Sequence, residues 1–174
     1  RPAYDRVALT SYFAADSAEE LSLLPGGEYD DPRVSLRVAT VVSAIDPAER
    51  TVRLADGEVL AYDRLVLATG AAPFVPPVPG RDLDGCFVYR TIEDLDAIRS
   101  ASEQATAGVV IGGGLLGLEA ANALVQLGLE THVVEMAPRL MPVQLDDAGG
   151  APLVRHIEKL GVTVHTGVAT DVIT

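Results

Sequence analysis

Two periodicities alternate along the second half of the chain. Val109-Val110-Ile111 is an unbroken apolar run, and from Leu118 to Leu127 apolar residues recur at helical spacing, so a buried strand passes into an amphipathic helix. Thr131-His132-Val133-Val134 is a second strand. Pro138 and Pro142 exclude regular helix until about Asp146, where Asp146-Asp147 suits a helix N-terminus. Leu153, Val154, Ile157 and Leu160 give that helix one apolar face, and Gly161 supplies its stop. Val162-Thr163-Val164 is the next strand. This order predicts an α/β, Rossmann-like unit.

The first half reads differently. Tyr4 to Leu24 shows no clean periodicity, although Ser17 with Glu20 reads as a capping box before a short helical turn, and Pro25-Gly26-Gly27 breaks it. Val34 to Leu36 is a short strand. Alternation resumes from Thr40 through Val42, Ala44 and Ile45, turns at residues 46–50, returns through Val52 and Leu54 to Asp56-Gly57, and ends in a strand from Glu58 to Tyr62. The pattern is a β-meander, with Asp-Gly as its hairpin signal. Leu65-Val66-Leu67-Ala68 is continuously apolar, as a strand buried on both faces would be. Thr69-Gly70 stops it, and Pro73, Pro76, Pro77, Pro79 and Gly80 make an extended connector between domains. Thr91 caps a helix whose apolar positions begin at Ile92.

Between the Val109 strand and its helix stands Gly112-Gly113-Gly114-Leu115-Leu116-Gly117, a Gly-x-Gly-x-x-Gly in the strand-to-helix context that dinucleotide binding requires. The first glycine permits the tight turn, the second lets backbone approach a pyrophosphate, and the third brings helix and strand together. The phosphates would lie at the positive helix end. Glu135 ends the next strand, 18 residues past Gly117, where an acid accepts hydrogen bonds from ribose hydroxyls and repels a 2′-phosphate, so NAD is preferred over NADP. The alternative is a glycine turn in an ordinary β-α-β unit with a surface glutamate.

Composition narrows the partners. A net charge of −12 argues against nucleic acid and anionic membrane, both of which reward clustered Lys and Arg. No apolar run approaches the roughly 18 residues of a membrane span. Cys86 is the sole cysteine, so there is no internal disulfide and no Cys-x-x-Cys, which fits a cytoplasmic location. It reads as a small, at least partly buried residue. His132, His156 and His165 lack metal-ligand spacing, and Met136 and Met141 read as packing fillers.

Laying Val34-Ser35-Leu36-Arg37 over Val162-Thr163-Val164-His165 and keeping the offset of 128 brings Ala44-Ile45 onto Val172-Ile173. Two copies of one β-α-β unit are expected, unless the similarity is chance. The first copy's glycine loop would then fall before Arg1, and the second copy's counterpart of Leu65 to Gly70 after Thr174. On this expectation the chain is a piece of a larger protein, with open sheet edges available for pairing into a homodimer or for strand exchange.

The run Leu65 to Pro73 and the Gly112 unit together resemble the FAD/NAD(P)-binding pyridine nucleotide-disulfide oxidoreductase superfamily, whose NAD domain is inserted into its FAD domain. Within it, Arg1 to Val7, Gly112 to Ala123 and Thr131 to Gln144 resemble the N-terminal flavoprotein region of assimilatory NAD(P)H nitrite reductase large subunits. The resemblance implies a partial FAD-binding domain over residues 1–88 and an incomplete NAD(H)-binding domain over 89–174. It also implies FAD contacts at Thr69 and Gly70, at Arg6 of a Tyr-x-Arg-x-x-Leu-Ser segment whose serine is Thr10 here, at Arg90 of Arg-Thr-x-Glu-Asp, and adenine near the Val42 backbone. Many relatives carry a lysine where Ser11 stands, so that lysine's role is in doubt here. Glu119 matches the glutamate of Gly-x-x-Gly-x-Glu near the nicotinamide and is the candidate catalytic residue; its alternative is a first-turn acid complementing the helix dipole. For Arg6 and Arg90 the alternative is a solvated surface arginine.

The implied activity is hydride transfer from NADH to FAD. In the parent enzyme electrons would continue to a sirohaem and an iron–sulfur cluster held outside this chain and reduce nitrite to ammonia. The absence of a second cysteine excludes the branch that uses an active-site disulfide within this span. A reductase for a separate rubredoxin or ferredoxin, and a non-catalytic nucleotide-binding module, are the alternatives. Without the first phosphate loop, this stretch alone is expected not to retain FAD.

Overall fold

A computed structural model describes residues 2–13, 18–24, 26, 27 and 29–174. They form two compact units, Arg1–Tyr4 with Ser22–Ala72, and Asp5–Leu21 with Pro73–Thr174.

The first unit is built on an antiparallel sheet of β1 (Val42–Asp46), β2 (Thr51–Leu54) and β3 (Val59–Ala61), in that order. Ile45 faces Val52, and Thr51 faces Ala61. Local side-chain chemistry makes the turns. Asp46 Oδ1 accepts the N–H groups of Ala48 and Glu49, both at 3.0 Å. Asp56 Oδ1 accepts from Glu58 N–H at 3.0 Å, next to Gly57 at φ +95°. The register shifts between Val42 and Ala44, where the Ser43 hydroxyl donates to the carbonyls of Arg53 and Leu54.

Two expected strands do not form. Val34–Leu36 and Leu65–Ala68 lie outside any ladder, and Val66 is 84% exposed. An apolar run becomes a strand only when a neighbouring strand takes its N–H and C=O groups, and among the described residues neither run pairs with one; the Val34 N–H donates instead to the Asp31 carbonyl at 2.8 Å. The repeat therefore has no common structure: residues 162–165 lie in a strand and 34–37 do not, while Ala44-Ile45 lies in β1 and residues 172–173 in no strand.

The second unit carries α1 (Ile92–Ser102), β4 (Ala107–Ile111), α2 (Leu115–Gln126), β5 (Glu130–Glu135), α3 (Asp147–Lys159) and β6 (Val162–Thr166). The strands are parallel, ordered β4-β5-β6, as expected of right-handed crossovers through α2 and α3. Thr91 caps α1 in a reciprocal box: its hydroxyl accepts from Asp94 N–H at 3.2 Å, and Asp94 Oδ2 accepts from Thr91 N–H at 2.8 Å. Asp146 caps α3 by accepting from Gly149 N–H at 2.8 Å, and Gly161, at φ +93°, follows its end. Ser17 of the expected first capping box lies outside the described residues.

The core of this unit is Ala121, Val133, Leu140 and Val162, covered by Leu118, Val125, Leu153, Val154 and Ile157 from the two helices. Gly108 keeps β4 and α2 close, since a Cβ there would reach within 2.8 Å of Leu124. On the sheet, the rings of His132 and His165 stack at 5.5 Å between centroids. Cys86 is half-buried, as expected, but Met136 fills no gap: it is 75% exposed, because it follows the last residue of β5, where the chain leaves the sheet. Among the described residues, no helix is long and apolar enough to cross a membrane.

Candidate functional site

β4 hands the chain to α2 through the glycine loop. Gly112 has φ +117°, a conformation that favours glycine, and its N–H donates to the Val134 carbonyl at 2.8 Å, tying the loop to β5. Gly117 cannot carry a side chain, because a Cβ would collide with the Gly112 carbonyl oxygen. Gly114 is the N-cap of α2 and makes no side-chain cap, and a Cβ on it would meet nothing within 4 Å. The first-turn N–H groups of Leu115, Leu116 and Gly117 have no acceptor one turn back within the helix, and both leucine side chains are exposed. A bare helix N-terminus beside open space is suited to an anion.

Gly113, at the variable second position, is also required. It is buried, and a Cβ there would come within 2.6 Å of Leu140 and 2.9 Å of the Glu135 side chain. Its N–H donates to Glu135 Oε2 at 2.7 Å, while Oε1 accepts the Ala137 N–H at 2.7 Å. The acid at the end of β5 is thus fastened beside the loop, and each oxygen keeps a lone pair for a further donor.

Other expected residues fall into two groups. In the second unit, Arg6 Nη2 donates to the Arg90 carbonyl at 3.4 Å, joining segments 84 residues apart, with Arg6 exposed and Arg90 half-buried. Glu119 is half-buried on α2 and lies beyond its first turn, which removes the first-turn dipole alternative. It lies close enough to Tyr89 for its charge to act on the phenol. Burial holds that hydroxyl above the ordinary tyrosine range; a hydrogen bond to Thr10 at 3.0 Å opposes the shift, and the charge of Glu119 adds to it. The first unit holds Val42, half-exposed at the start of β1, and Thr69 and Gly70, exposed outside any strand, with Gly70 at φ +70°.

Two sets of contacts were not foreseen. One is the Tyr89–Thr10 pair. The other is the segment after Ala137, where Leu140 is fully buried against Gly113 and the Met141 N–H donates to the Gly113 carbonyl at 2.9 Å. The signal available was Arg139, a lone cation between two prolines in a stretch with no regular structure to satisfy its carbonyls. Among the described residues no three His, Cys, Asp or Glu side chains are grouped to hold a metal.

A family model described as pyridine nucleotide-disulphide oxidoreductase matches residues 2–174. The chain is 61% identical over 168 residues to the nitrite reductase [NAD(P)H] large subunit of Klebsiella oxytoca, covering 97% of this chain and 18% of that protein. It is 51% identical over 166 residues to the nitrite reductase (NADH) large subunit of Escherichia coli, covering 95% of this chain and 20% of the relative. This chain thus spans about a fifth of the length of these relatives. Among solved structures, an NAD-dependent persulfide reductase from A. fulgidus superposes with a TM-score of 0.91 at 30% identity, over 99% of this chain and 34% of the other. A ferredoxin reductase from Rhodopseudomonas palustris gives 0.89 at 30% identity, over 100% and 43%. With a glycine loop opening α2, an acid ending β5 and a family match along almost every residue, the chain belongs to the pyridine nucleotide-disulphide oxidoreductase family.

Proposed function

We propose that the second unit binds NADH and serves a flavoprotein whose electrons go on to reduce nitrite. The carrying observation is the carboxylate of Glu135 fastened 2.7 Å from the Gly113 N–H beside an uncapped helix N-terminus. The residues fit the dinucleotide: the loop is sterically restricted to glycine at Gly113 and Gly117, yet open at Gly114, where backbone and phosphate can approach. Leu115, Leu116 and Gly117 offer N–H groups to the pyrophosphate. Glu135 accepts from the adenosine ribose hydroxyls and disfavours a 2′-phosphate, so NADH is preferred over NADPH.

Glu119, half-buried on α2, would hold the nicotinamide end. For the flavin, Arg6 and Arg90 supply positive charge, Thr69 and Gly70 backbone that can come close, and Val42 a backbone edge for the adenine. In ligand terms residues 1–88 belong to the FAD side and 89–174 to the NAD side. When bound, the nicotinamide supplies a hydride and the flavin accepts it. Sirohaem and an iron–sulfur cluster would be held by other parts of the protein. Identity above 50% to two nitrite reductase large subunits supports that destination.

Gly114→Ala tests the reading. Its Cβ meets no protein atom, so the fold is retained while the phosphates are held off, and the Kd for NADH, by titration of NADH fluorescence, rises about tenfold or more. A folded variant with unchanged affinity would place the nucleotide elsewhere. Bleaching of the full protein's bound flavin by NADH tests the transfer itself.

A further inference from the structure

Glu135 is held by the loop it serves, and that loop is held from behind. Gly113 is gripped on both sides, its N–H by Glu135 and its C=O by the Met141 N–H at 2.9 Å. Met141 has a left-handed φ of +48°, unusual for a residue with a side chain, so its placement is imposed by its surroundings. Leu140, fully buried, presses its side chain where a Cβ on Gly113 would be.

Arg139 ties down the turn that follows Met141. Its Nε donates to the Leu145 carbonyl at 2.8 Å, Nη2 to the Pro142 carbonyl at 3.4 Å, and Nη1 to Asp147 Oδ1 at 2.8 Å. One planar guanidinium thereby gathers both ends of the 142–147 turn, a fork that a lysine cannot reproduce. Its stem lies on Gly150 of α3, where a Cβ would come within 3.0 Å of Arg139 Cβ, so the strap is braced against the helix as well. The turn closes with Gln144 and Leu145 N–H groups donating to the Met141 carbonyl.

We propose that Arg139 is a positioning residue for the adenosine ribose, acting through the Leu140–Met141 strap and Gly113 on the carboxylate of Glu135. The inference rests on the reading of Glu135 given above. The fork fixes the turn, the turn fixes Met141 against Gly113, and Gly113 fixes one carboxylate oxygen. Loosening the fork leaves the phosphate N–H groups of α2 in place while the carboxylate loses its aim. The loss is therefore specific to ligands that present a free 2′-hydroxyl.

The test uses the full protein and two probes, ADP-ribose and 2′-phospho-ADP-ribose, titrated by calorimetry. In Arg139→Ala the Kd for ADP-ribose rises about tenfold and that for the 2′-phosphate analogue by less than about threefold, so the preference between them narrows. In turnover, KM for NADH rises and kcat holds. Arg139→Lys keeps the charge toward Asp147 but not the fork, and loses about threefold in ADP-ribose affinity; it carries the test if Arg139→Ala does not fold. ADP-ribose affinity within twofold of wild type, or equal losses for both probes, overturns the proposal. Glu135→Gln separates it from its premise: ADP-ribose affinity unchanged in that variant overturns the reading of Glu135 itself, whereas a loss there with no loss in the Arg139 variants overturns only the role of Arg139.

Discussion

The chain contains two three-stranded sheets that acquire order in opposite ways. β1–β3 are antiparallel, joined by short turns whose Asp side chains bind their own backbone, and of their residues only Leu54 is buried. β4–β6 are parallel, cannot be joined by turns, and owe their order to helices that return over one face and enclose Val133 and Leu140. Regular hydrogen bonding needs only neighbours within reach, whereas a core needs a second layer. Damage in the parallel sheet should therefore spread, and damage in the meander should stay local.

The largest effect that sharpens this contrast is at Gly117. An alanine there meets the Gly112 carbonyl, so Gly117→Ala must part β4 from α2 and lowers stability by at least about 3 kcal/mol, with loss of the cooperative urea transition. Gly114→Ala, three residues earlier in the same motif, leaves that transition in place. Leu140→Ala comes next, at about 2–5 kcal/mol, since its side chain is wholly enclosed. Ile45→Ala in the half-open meander costs under about 1 kcal/mol, and equal losses at the two sites in urea melts would break the comparison. Thr91→Ala removes one arm of the α1 capping box and costs about 1 kcal/mol; circular dichroism of the melt reads it.

The smallest effect is electrostatic. Burial raises the Tyr89 hydroxyl, so the folded state keeps its proton to higher pH than the unfolded chain does. Its contribution is complete below the ordinary tyrosine range and is lost as pH climbs through the raised value. Stability should fall gently above about pH 10, and Tyr89→Phe should flatten that fall. An unchanged slope would mean that the group does not report on folding.

Local chemistry was legible and long-range support was not. Thr91, Asp146 and Gly161 mark helix ends because a cap acts within three or four residues, and the glycine loop with Glu135 can be read because turn, strand and helix follow in order. The apolar run Leu65–Ala68 departs from its pattern for the converse reason: the pattern states what a buried strand requires, not whether partners reach it. Nothing in the spacing shows that Glu135 would meet Gly113, or that Arg139 would bind carbonyls on the turn beyond it. Those contacts depend on where β5 delivers the chain. Tyr89 and Thr10, 79 residues apart, are joined by the fold and by no local spacing.

α3 gives the site a gradient in time. Its first six residues include Gly149, Gly150 and Pro152, and the proline has no N–H to return to the Ala148 carbonyl, so this half of the helix is held by its Asp146 cap and by contact with the Arg139 stem more than by its own ladder. The second half, from Leu153 to Ile157, is anchored in the core. Amide hydrogens around Gly149 and Gly150 should therefore exchange with solvent well before those near Ile157. The opening half is the one against which Arg139 is braced, so wherever that half opens, the support behind Leu140, Met141 and Gly113 should loosen with it.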